Sequence, residues 1–108
     1  MIYEVEVSEQ ADCDLRGIFE YIAFELQSPE NASGQLDRLE EQILSLDTMP
    51  ERYRKYEKEP WKSRGLRVLS VDNYVVLYIS DSDKKVVTIL RVMYAGWDTD
   101  SHRKLYFF

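Results

Sequence analysis

Leu66-Arg67-Val68-Leu69-Ser70-Val71-Asp72-Asn73-Tyr74-Val75-Val76-Leu77-Tyr78-Ile79-Ser80 is the stretch that decides the fold of this chain. Two runs rich in Val, Leu, Ile and Tyr are separated by Asp72-Asn73 alone, residues that tolerate the positive backbone angles of a tight hairpin. The pattern predicts strands over 66–71 and 74–80. The linker Asp81-Ser82-Asp83-Lys84-Lys85 then reads as a second turn into a third strand over 86–93. Tyr74 to Ile79 is apolar almost without a break, which marks the central strand of a meander with one face covered and the other partly covered. Tyr74 and Tyr78 share a face by their spacing and are assigned to the core.

Upstream the period changes from two to between three and four. Ala11, Leu15, Ile18, Ile22 and Leu26 form one apolar stripe on a helix of about 17 residues that Ser8 caps, with Glu9, Asp12 and Asp14 complementing the positive end of its dipole. Ser28-Pro29-Glu30 opens a second helix: Ser28 suits the cap and Pro29 the first helical position, where its missing donor is not needed. Ala32, Leu36, Leu39, Ile43 and Leu46 carry that stripe to Met49-Pro50, which ends it. So short a link makes the two helices an antiparallel hairpin, with Gly34 assigned to a close approach. Ahead of them Ile2 to Val7 alternates, Glu4 and Glu6 facing water and Tyr3, Val5 and Val7 facing inward, as a strand does.

The resulting expectation is an α+β two-layer domain: an N-terminal strand and a helix hairpin packed on a small antiparallel β-sheet. Residues 1–98 are expected to form a single domain and 99–108 a tail ending in Tyr106-Phe107-Phe108, which packs on the sheet, pairs with another chain or is a disordered remnant; the sequence does not choose among the three. Between the hairpin and the sheet, 51–64 shows no period and reads as an exposed connection, with a turn of helix near Arg52 to Tyr56.

Charge is distributed unevenly along this order. Residues 1–50 hold twelve carboxylates against Arg16 and Arg38, a net of −10, whereas 51–71 hold seven Lys/Arg against Glu51, Glu57 and Glu59, a net of +4. Like charges on one segment repel one another, so 51–71 is a candidate surface for an anionic partner. The chain's overall charge of −6 argues against strong nonspecific nucleic-acid binding by the whole body. Acid-rich helices beside a basic sheet edge leave homodimerisation open. No apolar run approaches the roughly 20 residues of a membrane span, the N-terminus does not read as a signal peptide, and a lone Cys13 excludes an internal disulfide. A cytoplasmic setting without membrane contact fits these features.

Strong catalytic and cofactor signatures are missing. The sequence has no Gly-rich phosphate loop and no Cys/His spacing for a metal, so neither cofactor nor metal is expected. Its one histidine, His102, lies beside Arg103 and Lys104 and reads as a solvated residue. Cys13, set among acids that would raise rather than lower its pKa, reads as a small structural residue.

Arg64-Gly65-Leu66-Arg67, Asn73-Tyr74-Val75-Val76-Leu77-Tyr78, and Val87-Thr88-Ile89-Leu90-Arg91-Val92-Met93-Tyr94 with Asp98 resemble the sheet of the RelE/ParE superfamily of bacterial toxins. Ala11-Asp12, Leu15, Ile18, Tyr21-Ile22, Ser28-Pro29, Ala32, Ile43, Leu46 and Met49-Pro50 are similar to the helix hairpin of its ParE-like branch. The resemblance spans about residues 2–98. It implies the toxin of a type II toxin–antitoxin module, of the kind linked to plasmid stabilisation, neutralised by a cognate antitoxin that folds over the sheet and hairpin. The ParE-like branch is described as inhibiting DNA gyrase without a hydrolytic centre; the other branch comprises ribosome-dependent mRNA interferases.

The interferase pattern fits poorly. Where ribonuclease-type members carry an arginine after the tyrosine of the middle strand, Asn73-Tyr74 is followed by Val75, which holds no phosphate. RNA cleavage also needs a base for the 2′ hydroxyl, an acid for the leaving oxygen and cations for the developing charge. Arg67, Arg91 and Tyr94 supply parts of that set without a convincing base. The favoured expectation is therefore a toxin that binds gyrase, the alternative an endoribonuclease acting on ribosome-bound mRNA through Arg67, Arg91 and Tyr94. Residues assigned to target or antitoxin contact are Arg54, Lys55, Lys62, Arg64, Arg67, Arg91, Tyr94 and Trp97; Trp61 and Trp97 flank the basic sheet as anchors. For Arg67 and Arg91 the plain alternative is pairing with carboxylates on the sheet, and for the basic run a solvated loop.

Overall fold

The computed structural model of the chain describes residues 2–94. Trp97, Asp98, His102 and the 99–108 tail lie outside the described residues. The elements run β1 (Glu4–Val7), α1 (Glu9–Glu20) continued by a π-helical turn (Tyr21–Glu25), α2 (Pro29–Leu44), short 3-10 turns at Ser45–Asp47 and Pro50–Arg52, then β2 (Arg67–Val71), β3 (Tyr74–Asp81) and β4 (Val86–Tyr94). Both stripes form the helices they predict. The expected turn at 52–56 falls earlier, at Pro50–Arg52, because Pro50 already has helical φ and needs no backbone donor.

Ser8 caps α1 as its position suggests, accepting from the Ala11 amide at 3.1 Å while its hydroxyl donates to the Leu90 carbonyl at 3.1 Å. One side chain thereby closes the helix and ties it to β4. Ser28 stands at the N-cap of α2 without a side-chain capping bond, and Pro29 supplies the start. The buried small residues of the hairpin are Ala11, Ala23 and Ala32. Gly34 is not the close approach assigned to it: an added Cβ would meet only the Arg38 guanidinium, at an ordinary 3.5 Å. Cys13, read as a small structural residue, is exposed.

The sheet order is β1-β4-β3-β2. The meander is antiparallel as expected, with β3 central, but β1 joins β4 in parallel, so the four-stranded sheet is mixed. Asp72 takes φ 53° in the first hairpin turn and Lys85 φ 58° at the end of the second. Between Tyr78↔Ile89 and Leu77↔Arg91, β4 uses one residue more than β3, so Leu90 is a β-bulge. The bulge shifts the alternation of β4 by one. Val87 and Ile89 face the helices before it and Val92 after it, all buried in one core with Leu69, Val71, Tyr74, Val76 and Tyr78.

Against this face α1 sets Ala11 and Leu15, and α2 sets Leu39, Ile43 and the following Leu46. Each such Leu or Ile, taken out of water, contributes about 1.5–3 kcal/mol. Tyr3 and Val5 of the first strand pack on this core, whereas Val7, expected inside, is exposed because the chain turns there into α1. Among the described residues no helix is long and apolar enough to cross a membrane.

Candidate functional site

The basic connection is a folded structure. Tyr78, fully buried on β3, donates its hydroxyl to the Pro50 carbonyl at 2.5 Å. Burial pushes its phenol up to about 12, so it stays a donor. In register with Tyr78, Arg67 donates one guanidinium nitrogen to the carbonyls of Glu51 at 3.1 Å and Tyr53 at 2.7 Å. Arg52 reaches back to the Thr48 carbonyl at 2.7 Å and lies over the Tyr53 ring at 4.8 Å. Tyr78 and Arg67 thus fasten 50–53 across one end of the sheet, and Arg52 braces 48–53 from within.

Beyond this anchor the chain runs beside β2. The Val68 amide donates to the Arg54 carbonyl at 3.0 Å and the Tyr56 amide to the Leu66 carbonyl at 2.7 Å, with Lys55 bridging antiparallel to Arg67. The segment then turns over 58–65. Glu59 accepts from the Ser63 hydroxyl at 2.6 Å and its amide at 3.0 Å, and these bonds hold its carboxyl below the ordinary carboxylate range. Gly65, at φ 81°, provides a backbone conformation that a Cβ would strain, and returns the chain to β2.

This turn carries aromatic cover for the sheet's outer face. Tyr56 and Trp61 pack with Val75, Ile79, Leu90 and Met93 around buried Leu66, Val68 and Leu77. The Arg64 guanidinium lies over the Trp61 ring at 5.1 Å. The connection, read from sequence as exposed and without period, is therefore also a roof: its cations stand on a loop that itself covers part of that face. Arg54, Lys55, Lys62 and Arg64 are exposed along it, and Arg67 is half-buried at its anchor.

Arg91 and Tyr94 sit elsewhere, on β4. The Arg91 guanidinium makes a two-pronged contact with Asp14 of α1 at 2.7 and 2.9 Å, and the Val92 amide donates to the same carboxylate at 3.0 Å. Parallel β1 ends at Val7↔Ile89, and Asp14 takes over the β4 edge from there. Tyr94 meets Tyr74 edge to face, with ring centroids 5.5 Å apart. The loop cations and Arg67 thus form one group, Arg91 and Tyr94 each make separate contacts on β4, and Trp97 lies outside the described residues.

Three features of the surface were not assigned from sequence. Asp14 reads as a dipole acid and gives no sign of its partner 77 residues away. Tyr53 contributes a backbone carbonyl, which no side-chain pattern reveals. Tyr21 and Phe24 did carry a signal, because they lie off the stripe of α1 at positions that ought to be polar; both are exposed, as is Leu26, which the stripe placed inside. Among the described residues no group of three His, Cys, Asp or Glu side chains is placed to hold a metal ion.

Two helices packed on a four-stranded mixed sheet match the fold class of the RelE/ParE toxins. Residues 5–97 match the family described as ParE toxin of type II toxin-antitoxin system, parDE, and the chain belongs to that family. Its structure is similar to a chain of the chromosomal ParDE system from P. aeruginosa, at 20% identity and TM-score 0.72, covering 86% of this chain and 96% of that one. A chain of the RelBE2 toxin–antitoxin complex from Mycobacterium tuberculosis is similar at 22% identity and TM-score 0.64, covering 87% and 92%. An E. coli RelE mutant in the free state is similar at 17% identity and TM-score 0.63, covering 89% and 86%. A search of curated proteins finds no significant match.

Proposed function

We propose that the protein arrests growth by binding its target rather than by cutting a bond, that DNA gyrase is that target, and that a cognate antitoxin silences it. One observation carries the reading. Arg67 holds two backbone carbonyls and Arg91 holds Asp14, on separate strands and with separate tasks, so neither guanidinium is presented with the other around a common point where a phosphate would react. Cleavage chemistry needs cations and proton-transfer groups converging within hydrogen-bond reach of one atom. The exposed loop cations suit a macromolecular surface instead, where complementary charge speeds encounter and fixes orientation.

Membership in the ParE family favours gyrase, since the ParE-like branch is described as acting there. The partner reading draws support from the ParDE and RelBE2 neighbours, which come from toxin–antitoxin systems. The alternative, a ribosome-dependent interferase, is supported by the RelE likeness in fold alone. Purified protein incubated with gyrase and plasmid, beside a translation assay that maps mRNA ends, separates the two. Gyrase inhibition with intact mRNA is the expected outcome; cleavage at ribosomal A-site codons with unimpaired gyrase would overturn it.

A further inference from the structure

The sheet separates the chain's charges. α1 and α2 pack on its inner face around Leu39, Ile43, Val76 and Ile89 and carry exposed Glu9, Asp12, Glu20, Glu30, Glu40 and Glu41. The turn over 54–65 packs instead on the outer face, through Tyr56 and Trp61, and holds five Lys/Arg against Glu57 and Glu59, a net of +3. Arg54, Lys55, Lys62 and Arg64 are exposed there, and none makes a close ion pair with a described residue. Glu59 accepts from the Ser63 hydroxyl and amide, with Lys62 standing nearby. Glu4 and Glu6, also exposed, belong to β1 at the opposite edge of the sheet.

Distance decides which sign a polyanion meets at this turn. With a helix about 10 Å across and the sheet between them, the outward carboxylates of α1 and α2 stand on the order of 15–20 Å from the loop, about twice the Debye length of roughly 8 Å at physiological ionic strength. Their repulsion is largely screened, so an approaching polyanion meets the local +3 rather than the chain's −6. The cations sit on two legs of one turn: Arg54 and Lys55 leave beside β2 and Lys62 and Arg64 return, the Tyr56 amide joining the legs to the Leu66 carbonyl at 2.7 Å and the Arg64 guanidinium resting over Trp61 at 5.1 Å. Duplex DNA, with one charge per about 1.7 Å of axis, rewards such a group more than an acidic peptide does, because every phosphate neutralised releases a condensed counterion. We propose that Arg54, Lys55, Lys62 and Arg64 contact the phosphate backbone of duplex DNA. Bound to gyrase, the protein then also holds the DNA that gyrase carries; the choice of DNA rests on the gyrase reading above, and the contact itself is testable without gyrase.

Amide NMR of the full chain, titrated at low salt with a short DNA duplex, tests the contact. Shifts are expected over 54–65 and not at Glu20 or Glu40, and four phosphate contacts should weaken binding about 150-fold between about 50 and 200 mM salt. In Arg54→Gln/Lys55→Gln/Lys62→Gln/Arg64→Gln the duplex should no longer move 54–65, while the core amides of Val76 and Ile89 keep their wild-type positions. A poly-glutamate peptide is expected to need about tenfold more for half-saturation. Equal potency would assign the loop to an acidic protein segment and overturn the proposal, as would a duplex that leaves 54–65 unmoved. On gyrase, the protein should bind about tenfold tighter with DNA loaded than without, a difference lost in the Gln variant. Equal affinity in the two states overturns the proposal and leaves gyrase as the target, whereas no association with gyrase, beside intact duplex shifts, sinks the target reading while the DNA contact stands.

Discussion

Asp14 and Arg91, 77 residues apart, close one ring: the Arg91 guanidinium bonds both carboxylate oxygens while one of those oxygens also accepts the Val92 amide. The pair is largely sheltered, at 22% and 15% side-chain exposure for Arg91 and Asp14, so its loss is felt more than that of a surface pair such as Asp12–Arg16. Asp14→Ala takes this carboxylate from Arg91 and removes the acceptor of the Val92 amide, and is expected to cost about 2 kcal/mol; Arg91→Ala leaves Asp14 its backbone donor and should cost about half that. Urea melts of both single variants and the double variant measure it. A coupling near zero would mean that the ring contributes nothing to holding α1 on β4.

Arg67 has a different task. Its two carbonyl bonds hold 51–53 against the sheet end, so Arg67→Ala is expected to lower stability by about 1–2 kcal/mol and to speed tryptic cleavage at Arg52 and Arg54 in the released segment. Loss of growth arrest in this variant would then follow from a displaced loop. Cleavage at the wild-type rate, with toxicity lost, would assign Arg67 to the target contact itself.

Much of the fold was legible because its signals are local. Asp72-Asn73 announces a hairpin whatever surrounds it, and the stripes of α1 and α2 need only a few turns of sequence to be seen. What escaped depends on partners distant along the chain. Four residues of β1 say nothing of which strand they join, and the Leu90 bulge appears only once β4 is laid against β3. Arg67 looks like a surface cation until its register with Tyr78 puts it beside the carbonyls of 51 and 53. The excess charge of the connection was legible in the same way as the stripes; its roofing role was not, because Tyr56 and Trp61 acquire it through Leu66, Val68 and Leu77.

Neutralising the loop separates charge from architecture. Arg54, Lys55, Lys62 and Arg64 are exposed, so replacing all four with Gln should leave stability within about 1 kcal/mol, the Arg64 stack on Trp61 being the main loss. Association with the target should slow about tenfold at low salt, and the remaining rate should depend less on salt. Stopped-flow binding at several ionic strengths, beside a growth assay, reads both effects. Unchanged rates and undiminished toxicity would show the basic run to be a solvated loop.

Tyr78 gives the protein an alkaline limit. Its phenol, ordinarily ionising near 10.0, is held neutral by burial up to about 12. The unfolded chain therefore loses the proton first as pH rises, and ionisation favours unfolding from about pH 10 upward. The stabilisation present below pH 10 is lost progressively until the folded phenol titrates near pH 12, a total of about 3 kcal/mol by linkage. Tyr56 and Tyr74, also raised by burial, add smaller contributions of the same sign. In Tyr78→Phe the Pro50 carbonyl loses its donor, which should cost about 1 kcal/mol at pH 7, but stability should decline less steeply between pH 10 and 12, by close to one proton's slope. Urea midpoints of wild type and variant across pH 7–12 check this, and parallel curves above pH 10 would mean that the Tyr78 phenol ionises equally well folded and unfolded.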